Sequence, residues 1–132
     1  MSIALEAHTY GLTHLAIAVK DIERTLKFYQ YIFGMDVMYH EAKMIQLTTP
    51  GQHDILVFEE RDEDVVGHTG GIAHFGFRLK QPESISVIRN KISDFGAEVI
   101  DEGEFVPGSP YVFFKDPDGY IIEVWFELIP QV

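Results

Sequence analysis

The chain has 132 residues, a length that fits one domain able to bury roughly two thirds of its unfolded surface. A formal net charge of -11 makes nucleic acid and anionic membranes poor partners, because both attract clustered lysine and arginine. The lack of cysteine excludes disulfides and thiolate metal sites. No apolar run is long enough to span a membrane, and residues 1–10 do not resemble a signal peptide, so we expect a soluble cytoplasmic protein.

The first half of the chain predicts the order strand, helix, strand, strand, strand. Residues 13–20 are typical of a strand, and apolar residues spaced by three and four then predict a helix that ends at Gly34. Three further strands are predicted at residues 37–40, 44–47 and 53–58. The last two of these strands flank a turn that contains Pro50.

The second half repeats this order. Residues 73–80 match residues 13–20 at an offset of 60, Gly96 ends the second helix, and Pro117 takes the turn position of Pro50. Matching strands are predicted at residues 98–101, 111–114 and 120–125.

The repeat predicts an α+β fold in which two tandem βαβββ modules form a curved mixed sheet around a metal-binding cleft. Module 1 covers about residues 10–60 and module 2 about residues 72–128, and an acidic, glycine-rich linker at about 60–71 joins them. One continuous α+β sandwich, in which the similarity of the halves is coincidental, is the alternative.

Two histidines and one glutamate form a candidate metal site. His14 and His74 take the same position in the first strand of each module, so a two-fold relation between modules would place both imidazoles across one cleft. Glu123 interrupts an apolar strand, where an unpaired carboxylate facing the core would cost several kcal/mol and a metal would remove that cost. A solvent-facing Glu123 on an edge strand fits the same alternation.

Two neutral imidazoles and a carboxylate suit Fe, Mn, Ni, Co or Zn, with coordination positions left open for substrate or water. A fourth ligand would come from the residue of module 1 that matches Glu123. Alignment of the two turn prolines makes this residue Leu56, which cannot bind a metal.

Five groups of residues together resemble the vicinal oxygen chelate superfamily, which contains glyoxalase I, fosfomycin-resistance enzymes, bleomycin-resistance proteins, methylmalonyl-CoA epimerase and extradiol dioxygenases. These groups are His14, Phe28-Tyr29, Phe33-Gly34-Met35, His74-Phe75-Gly76, and Asp116-Pro117-Asp118-Gly119 followed by Glu123. The resemblance covers about residues 12–126. It implies that His14, His74 and Glu123 bind one divalent metal, and that a substrate chelates this metal through two neighbouring oxygens.

Resemblance to the glyoxalase branch implies a metal-dependent lyase or isomerase in which the metal acts as a Lewis acid. The glyoxalase I pattern places a fourth ligand, usually a glutamate that is also the proton-transfer base, at the position of Leu56. The chain departs from that pattern, so Glu123 is the candidate catalytic residue that moves a proton. Gln46, a polar residue in an apolar strand, is the candidate for a hydrogen bond to substrate, although an exposed strand position fits it equally.

Two other branches match the chain in part. The extradiol dioxygenase pattern has a tyrosine where Phe113 stands and a histidine shortly before it, which this chain lacks. Fosfomycin-resistance enzymes have three protein ligands, as here, but two of them carry a threonine at the position of Ala16. Few basic residues are available to hold a phosphonate, and the nearest candidates are Arg78 and Lys115.

A metal-free protein that sequesters a small molecule, of the bleomycin-resistance type, is the non-enzyme alternative. Aromatic residues that would line its groove are Phe58, Tyr111, Phe113, Tyr120 and Trp125, although such residues are also typical of a core. The symmetric histidines and the glutamate within a strand favour the enzyme. The resemblance implies a homodimer, because superfamily members of this length usually pair. It leaves open whether the site closes within one chain or between two.

Overall fold

The structure is a computed structural model and describes residues 7–62 and 64–127. It contains two βαβββ halves in tandem. The first comprises β1 (Leu15–Val19), α1 (Ile22–Phe33), β2 (Asp36–Glu41), β3 (Met44–Thr48) and β4 (Leu56–Glu60). The second comprises β5 (Phe75–Leu79), α2 (Ser84–Phe95), β6 (Val99–Glu104), β7 (Pro110–Lys115) and β8 (Ile121–Phe126). Neither helix is long and apolar enough to cross a membrane.

Both helices end where the sequence predicts. The Asp21 carboxylate caps α1 by accepting hydrogen bonds from the main-chain N–H groups of Glu23 and Arg24. Gly34 and Gly96 follow the two helices with φ angles of 65° and 77°, the left-handed region that glycine adopts at little cost. These glycines turn the chain back into β2 and β6.

The strands form two sheets, with the orders β1-β4-β3-β2 (sheet A) and β5-β8-β7-β6 (sheet B). The outer strands β1 and β5 run parallel to β4 and β8, and the other pairs are antiparallel. The predicted α+β fold of two tandem modules is therefore confirmed. In the described residues, the strands of each half form their own four-stranded sheet.

The strand register corrects one position of the predicted repeat. Ala16 lies opposite Val57, whereas its counterpart Gly76 lies opposite Glu123. The residue of module 1 that matches Glu123 is consequently Val57, and the assignment of Leu56 was wrong by one residue. The connection between β3 and β4 is one residue longer than that between β7 and β8, so aligning the prolines displaced the strand. Valine cannot bind a metal either.

A single apolar core joins the two halves. The Phe33 and Phe77 rings stack at 3.8 Å between centroids, and Phe28 lies 5.1 Å from Phe95 and 6.1 Å from Phe114. Strands β1, β3, β4, β7 and β8 add alternate residues to this core from their helix-bearing side: Ile17, Val19, Ile45, Leu47, Leu56 and Phe58 from sheet A, and Val112, Phe114, Ile122 and Val124 from sheet B. The opposite side of each sheet is left open.

A polar contact ties the turn between β7 and β8 to α1. The Tyr29 hydroxyl donates to Asp116 Oδ2 at 2.9 Å, while Asp116 Oδ1 accepts from the main-chain N–H groups of Asp118 and Tyr120. Asp118 Oδ1 in turn accepts from the Arg24 guanidinium at 2.9 Å. The turn of module 2 is therefore held by the helix of module 1.

Asp116 is 5% exposed, and this burial raises its pKa from 3.8 to about 6 despite the hydrogen bonds that favour the charged form. Because the pKa of Asp116 is higher in the folded state than in the unfolded state, folding favours the protonated carboxyl group. This contribution to the free energy of unfolding is fully present below pH 4 and is lost as the pH rises through about 6.

We expect Asp116→Asn to remove this part of the pH dependence, since asparagine does not ionise. Between pH 4 and pH 7, the free energy of unfolding of the wild type should fall relative to that of the variant by up to about 3 kcal/mol. Urea denaturation of both proteins at several pH values measures this difference. A difference that stays constant with pH would contradict the assignment.

Candidate metal centre

The open face of sheet B carries the candidate metal ligands of the second half, His74 and Glu123. Strand alternation turns Val112, Phe114, Ile122 and Val124 towards the core, so the intervening residues of β7 and β8 lie on the other side. Across the four strands, Gly76, Glu123, Phe113 and Asp101 form one row. His74 precedes Gly76 by two residues and therefore shares this face.

His74 and Glu123 lie next to each other. The His74 Nε2 and Glu123 Oε1 atoms are 3.3 Å apart, and the side chains are 38% and 15% exposed. The Phe113 ring meets the imidazole edge to face at 5.1 Å between centroids. Since β8 is an inner strand, Glu123 is neither in the apolar core nor on a solvated edge: it is half-buried on the open face beside an imidazole.

Gly76 keeps space beside the carboxylate. A Cβ atom at this position would lie 3.0 Å from the main-chain oxygen of Glu123 and 3.5 Å from its Cβ. No side chain therefore projects from β5 between His74 and Arg78. The pair of possible ligands faces a region that is accessible from outside the sheet.

His14 lies on the corresponding face of sheet A. It is exposed and precedes β1, on the side of Ala16 and Val57, so its position matches that of His74. The two open faces lie on opposite sides of the shared core, because the halves pack through their helix-bearing sides. Among residues 7–62 and 64–127, no three His, Cys, Asp or Glu side chains lie close enough to share a metal. One chain thus does not bring His14 to His74.

The donors on sheet B fit a divalent cation in part. An imidazole nitrogen and a carboxylate oxygen within 3.3 Å of each other are the donor types that Mn, Fe, Co, Ni and Zn accept. Both side chains are accessible, and neither needs to break a core contact to bind. Among the described residues, no third His, Cys, Asp or Glu side chain lies close enough to this pair to complete the set.

Three of the candidate substrate residues lie on the open faces. Gln46 is half-buried on β3, opposite Val57 and on the same side of sheet A as His14. Tyr111 and Phe113 are half-buried on β7, on the same side of sheet B as Glu123.

Phe58 and Tyr120 do not line either open face. Phe58 is fully buried, and its ring packs 4.7 Å from that of Tyr29, because the alternation of β4 turns it to the core with Leu56. The prediction that Phe58 contacts substrate is wrong for this reason. Tyr120 packs on the core and donates its hydroxyl hydrogen to the main-chain oxygen of Ala18 at 2.7 Å.

The sequence patterns did not single out two residues that lie on the open face of sheet B, Asp101 and Phe105. Asp101 Oδ2 accepts a hydrogen bond from the Tyr111 hydroxyl at 3.2 Å, and burial together with this bond raises the pKa of Tyr111. Phe105 stacks on Tyr111 at 4.1 Å and meets Trp125 edge to face at 5.9 Å. The repeat indicates Asp101, because Asp101 pairs with Phe113 in sheet B as Tyr39 pairs with Gln46 in sheet A. Phe105 lies in a loop without periodicity, so no local pattern indicates it.

Comparison with known proteins relates this geometry to a family. The chain is 27% identical over 119 residues to catechol-2,3-dioxygenase of Bacillus subtilis, a match that covers 86% of the chain and 41% of that protein. The chain therefore spans less than half of that relative.

Solved structures of the fosfomycin resistance protein FosX from Listeria monocytogenes share the fold. The hexagonal crystal form has a TM-score of 0.77 and 25% identity, over 92% of the chain and 97% of FosX. A FosX variant in complex with Mn(II) and 1S,2S-dihydroxypropylphosphonic acid has a TM-score of 0.73 and 25% identity, over 89% and 90%.

The sequence profile of one family matches most of the chain. This match extends over residues 11–124, which include both βαβββ halves up to β8 and all three candidate metal ligands. The chain belongs to the Glyoxalase/Bleomycin resistance protein/Dioxygenase superfamily.

Proposed function

We propose that the protein is a divalent-metal-dependent enzyme whose active site is shared between two copies of the chain. In each site, His14 of one copy joins His74 and Glu123 of the other. The observation that carries this proposal is the contact between His74 and Glu123 on one open face, together with His14 at the matching position of the second open face.

Pairing of two copies follows from the exposed sheet faces. A two-fold axis that places sheet A of one copy against sheet B of the other creates two identical contacts, and each contact brings His14 to a His74 and Glu123 pair. Such pairing places the half-buried rings of Tyr111, Phe113 and Trp125 along the wall of the cleft between the facing sheets, where they remain open to a substrate.

A metal bound at this site supplies Lewis-acid stabilisation of a substrate that carries two neighbouring oxygens. Glu123 holds its carboxylate beside the His74 imidazole on the open face, and the Phe113 ring contacts that imidazole edge to face. Gln46 is on the open face of sheet A, opposite Val57, and in the proposed dimer its amide would hydrogen-bond substrate from the facing sheet.

We assign the reaction to the lyase and isomerase class of the glyoxalase type, on a small molecule. Val57 stands where a second carboxylate would serve as the proton-transfer base, so Glu123 is the carboxylate left to carry the proton. The Mn(II) complex of FosX supports the choice of metal class. Phe113 lacks the hydroxyl group of the extradiol pattern, which argues against ring cleavage.

Metal content tests the ligand set directly. Protein purified without chelator, or loaded with Mn, Fe, Co, Ni or Zn, should contain about one metal ion per chain. Elemental analysis should show loss of this metal in His14→Ala, His74→Ala and Glu123→Ala, because each removes one of three protein donors. His53→Ala, in the exposed β3–β4 turn, is the matched control and should retain the metal. A metal-free wild type after loading would instead favour a protein that sequesters small molecules.

Mixed dimers test whether the site is shared. His14→Ala and His74→Ala chains that carry different tags are co-expressed, and the heterodimer is isolated. A shared site predicts one intact centre in this heterodimer, about 0.5 metal ions per chain, although each variant alone binds none. A site within one chain predicts no metal in the heterodimer, and that result would refute the shared arrangement.

A further inference from the structure

A strip of aromatic rings leads away from the candidate metal ligands. Phe113, edge-on to His74, is followed by Tyr111 at 5.6 Å between centroids and then by Phe105, stacked on Tyr111 at 4.1 Å. Trp125 borders the strip edge-on to Phe105. Phe105 is 52% exposed, and the other three rings are half-buried. A surface of this kind binds flat aromatic groups by stacking.

A carboxylate lies beside this strip. Asp101 is in the same strand row as Glu123 and Phe113, two strands from Glu123 and thus about 10 Å away. Its Oδ2 atom accepts a hydrogen bond from the neutral hydroxyl of Tyr111, and the residue is exposed. Because this partner carries no charge, the negative charge of Asp101 is not neutralised by it.

The basic groups of the same face are already engaged. Among the strands of sheet B, the open face has two basic side chains, Arg78 and Lys115. The Arg78 guanidinium donates to the main-chain oxygen of Glu127 at 2.6 Å and lies 3.6 Å from its carboxylate, while Lys115 Nζ is 3.5 Å from Glu98 Oε2. An anionic ligand would have to displace these carboxylates.

The facing surface of sheet A adds to the negative potential. Glu41 is opposite Met44 on the open side of β2, and its carboxylate accepts from the Tyr39 hydroxyl at 3.0 Å. In the shared site of the proposed dimer, this carboxylate belongs to the wall across from the aromatic strip. Both walls thus favour a cation, and the aromatic faces attract one as well.

From this arrangement we propose that Asp101 determines substrate specificity, and that the site takes a flat aromatic molecule with vicinal oxygens at one end and a positive charge at the other. This inference rests on the proposed function, since the metal anchors the oxygen end. The aromatic strip contacts the ring, and Asp101 pairs with the cationic end. Anionic ligands, including phosphonates, are disfavoured.

Three catechols with the same chelating head test this charge preference. They are 4-methylcatechol, which is neutral, 4-(2-aminoethyl)catechol, which is cationic, and 3,4-dihydroxyphenylacetate, which is anionic. Each is titrated into Mn(II)-loaded protein by calorimetry, and fluorescence of Trp125, the single tryptophan, reports binding at the strip. The cation should bind about threefold to tenfold more tightly than the anion, as expected for a partly exposed ion pair.

Asp101→Asn should lower the ratio of cation to anion affinity towards that of free Mn(II), because asparagine keeps the acceptor for Tyr111 but removes the charge. Glu102→Gln is the matched control: this neighbour lies on the opposite face, where its carboxylate binds Arg89 at 2.7 Å. It removes the same net charge and should retain the preference of the wild type.

The outcomes separate the two proposals. Protein that retains none of Mn, Fe, Co, Ni and Zn refutes the proposed function, and this inference with it. If one of the other four metals is retained instead of Mn(II), it replaces Mn(II) in the titrations. Protein that binds Mn(II) and the catechols with no charge preference, or with a preference that Asp101→Asn leaves unchanged, overturns the role of Asp101 alone. Equal losses of the cation preference in Asp101→Asn and Glu102→Gln would assign that preference to net charge. This result would also overturn the role of Asp101.

Discussion

Apolar packing between the two helix-bearing sides is the constraint on which the rest of the molecule depends. The stack of Phe33 on Phe77 and the contacts of Phe28 bury one side of each sheet in a common core. A sheet has only two sides, so this core leaves the other side of both sheets open. His14 and the pair of His74 and Glu123 lie on those open sides, and that placement makes the proposed site depend on a second copy.

The halves share a backbone but differ in side chains along corresponding rows. Glu123 on sheet B corresponds to Val57 on sheet A, and Phe113 corresponds to Gln46. A site built from one sheet of each kind therefore has unlike walls: one contributes a carboxylate and aromatic rings, and the other a histidine and an amide. In the proposed site, this asymmetry would allow the two walls to bind different ends of one substrate.

Membership of the superfamily accounts for the architecture more than for the reaction. The core residues of both halves carry out the same packing task in any member, whereas the residues of the open faces can change without disturbing the core. In this chain those faces have carboxylates at Asp101 and Glu41 and engaged basic groups at Arg78 and Lys115. Under the proposed function, this charge pattern is the feature that would select the substrate.

The sequence by itself determined the order of elements, because helix periodicity, strand alternation and the glycines at 34 and 96 are local signals. It also identified His14 and His74 as equivalent through the repeat. Register needed the tertiary structure: one extra residue in the β3–β4 connection moved the match of Glu123 from Leu56 to Val57.

Side-chain direction and contacts between distant segments likewise required the fold. Phe58 faces the core, Asp101 meets Tyr111, and the two histidines lie on opposite sides of one core. These facts depend on how the halves pack against each other, and packing is a property of the whole chain rather than of any local pattern.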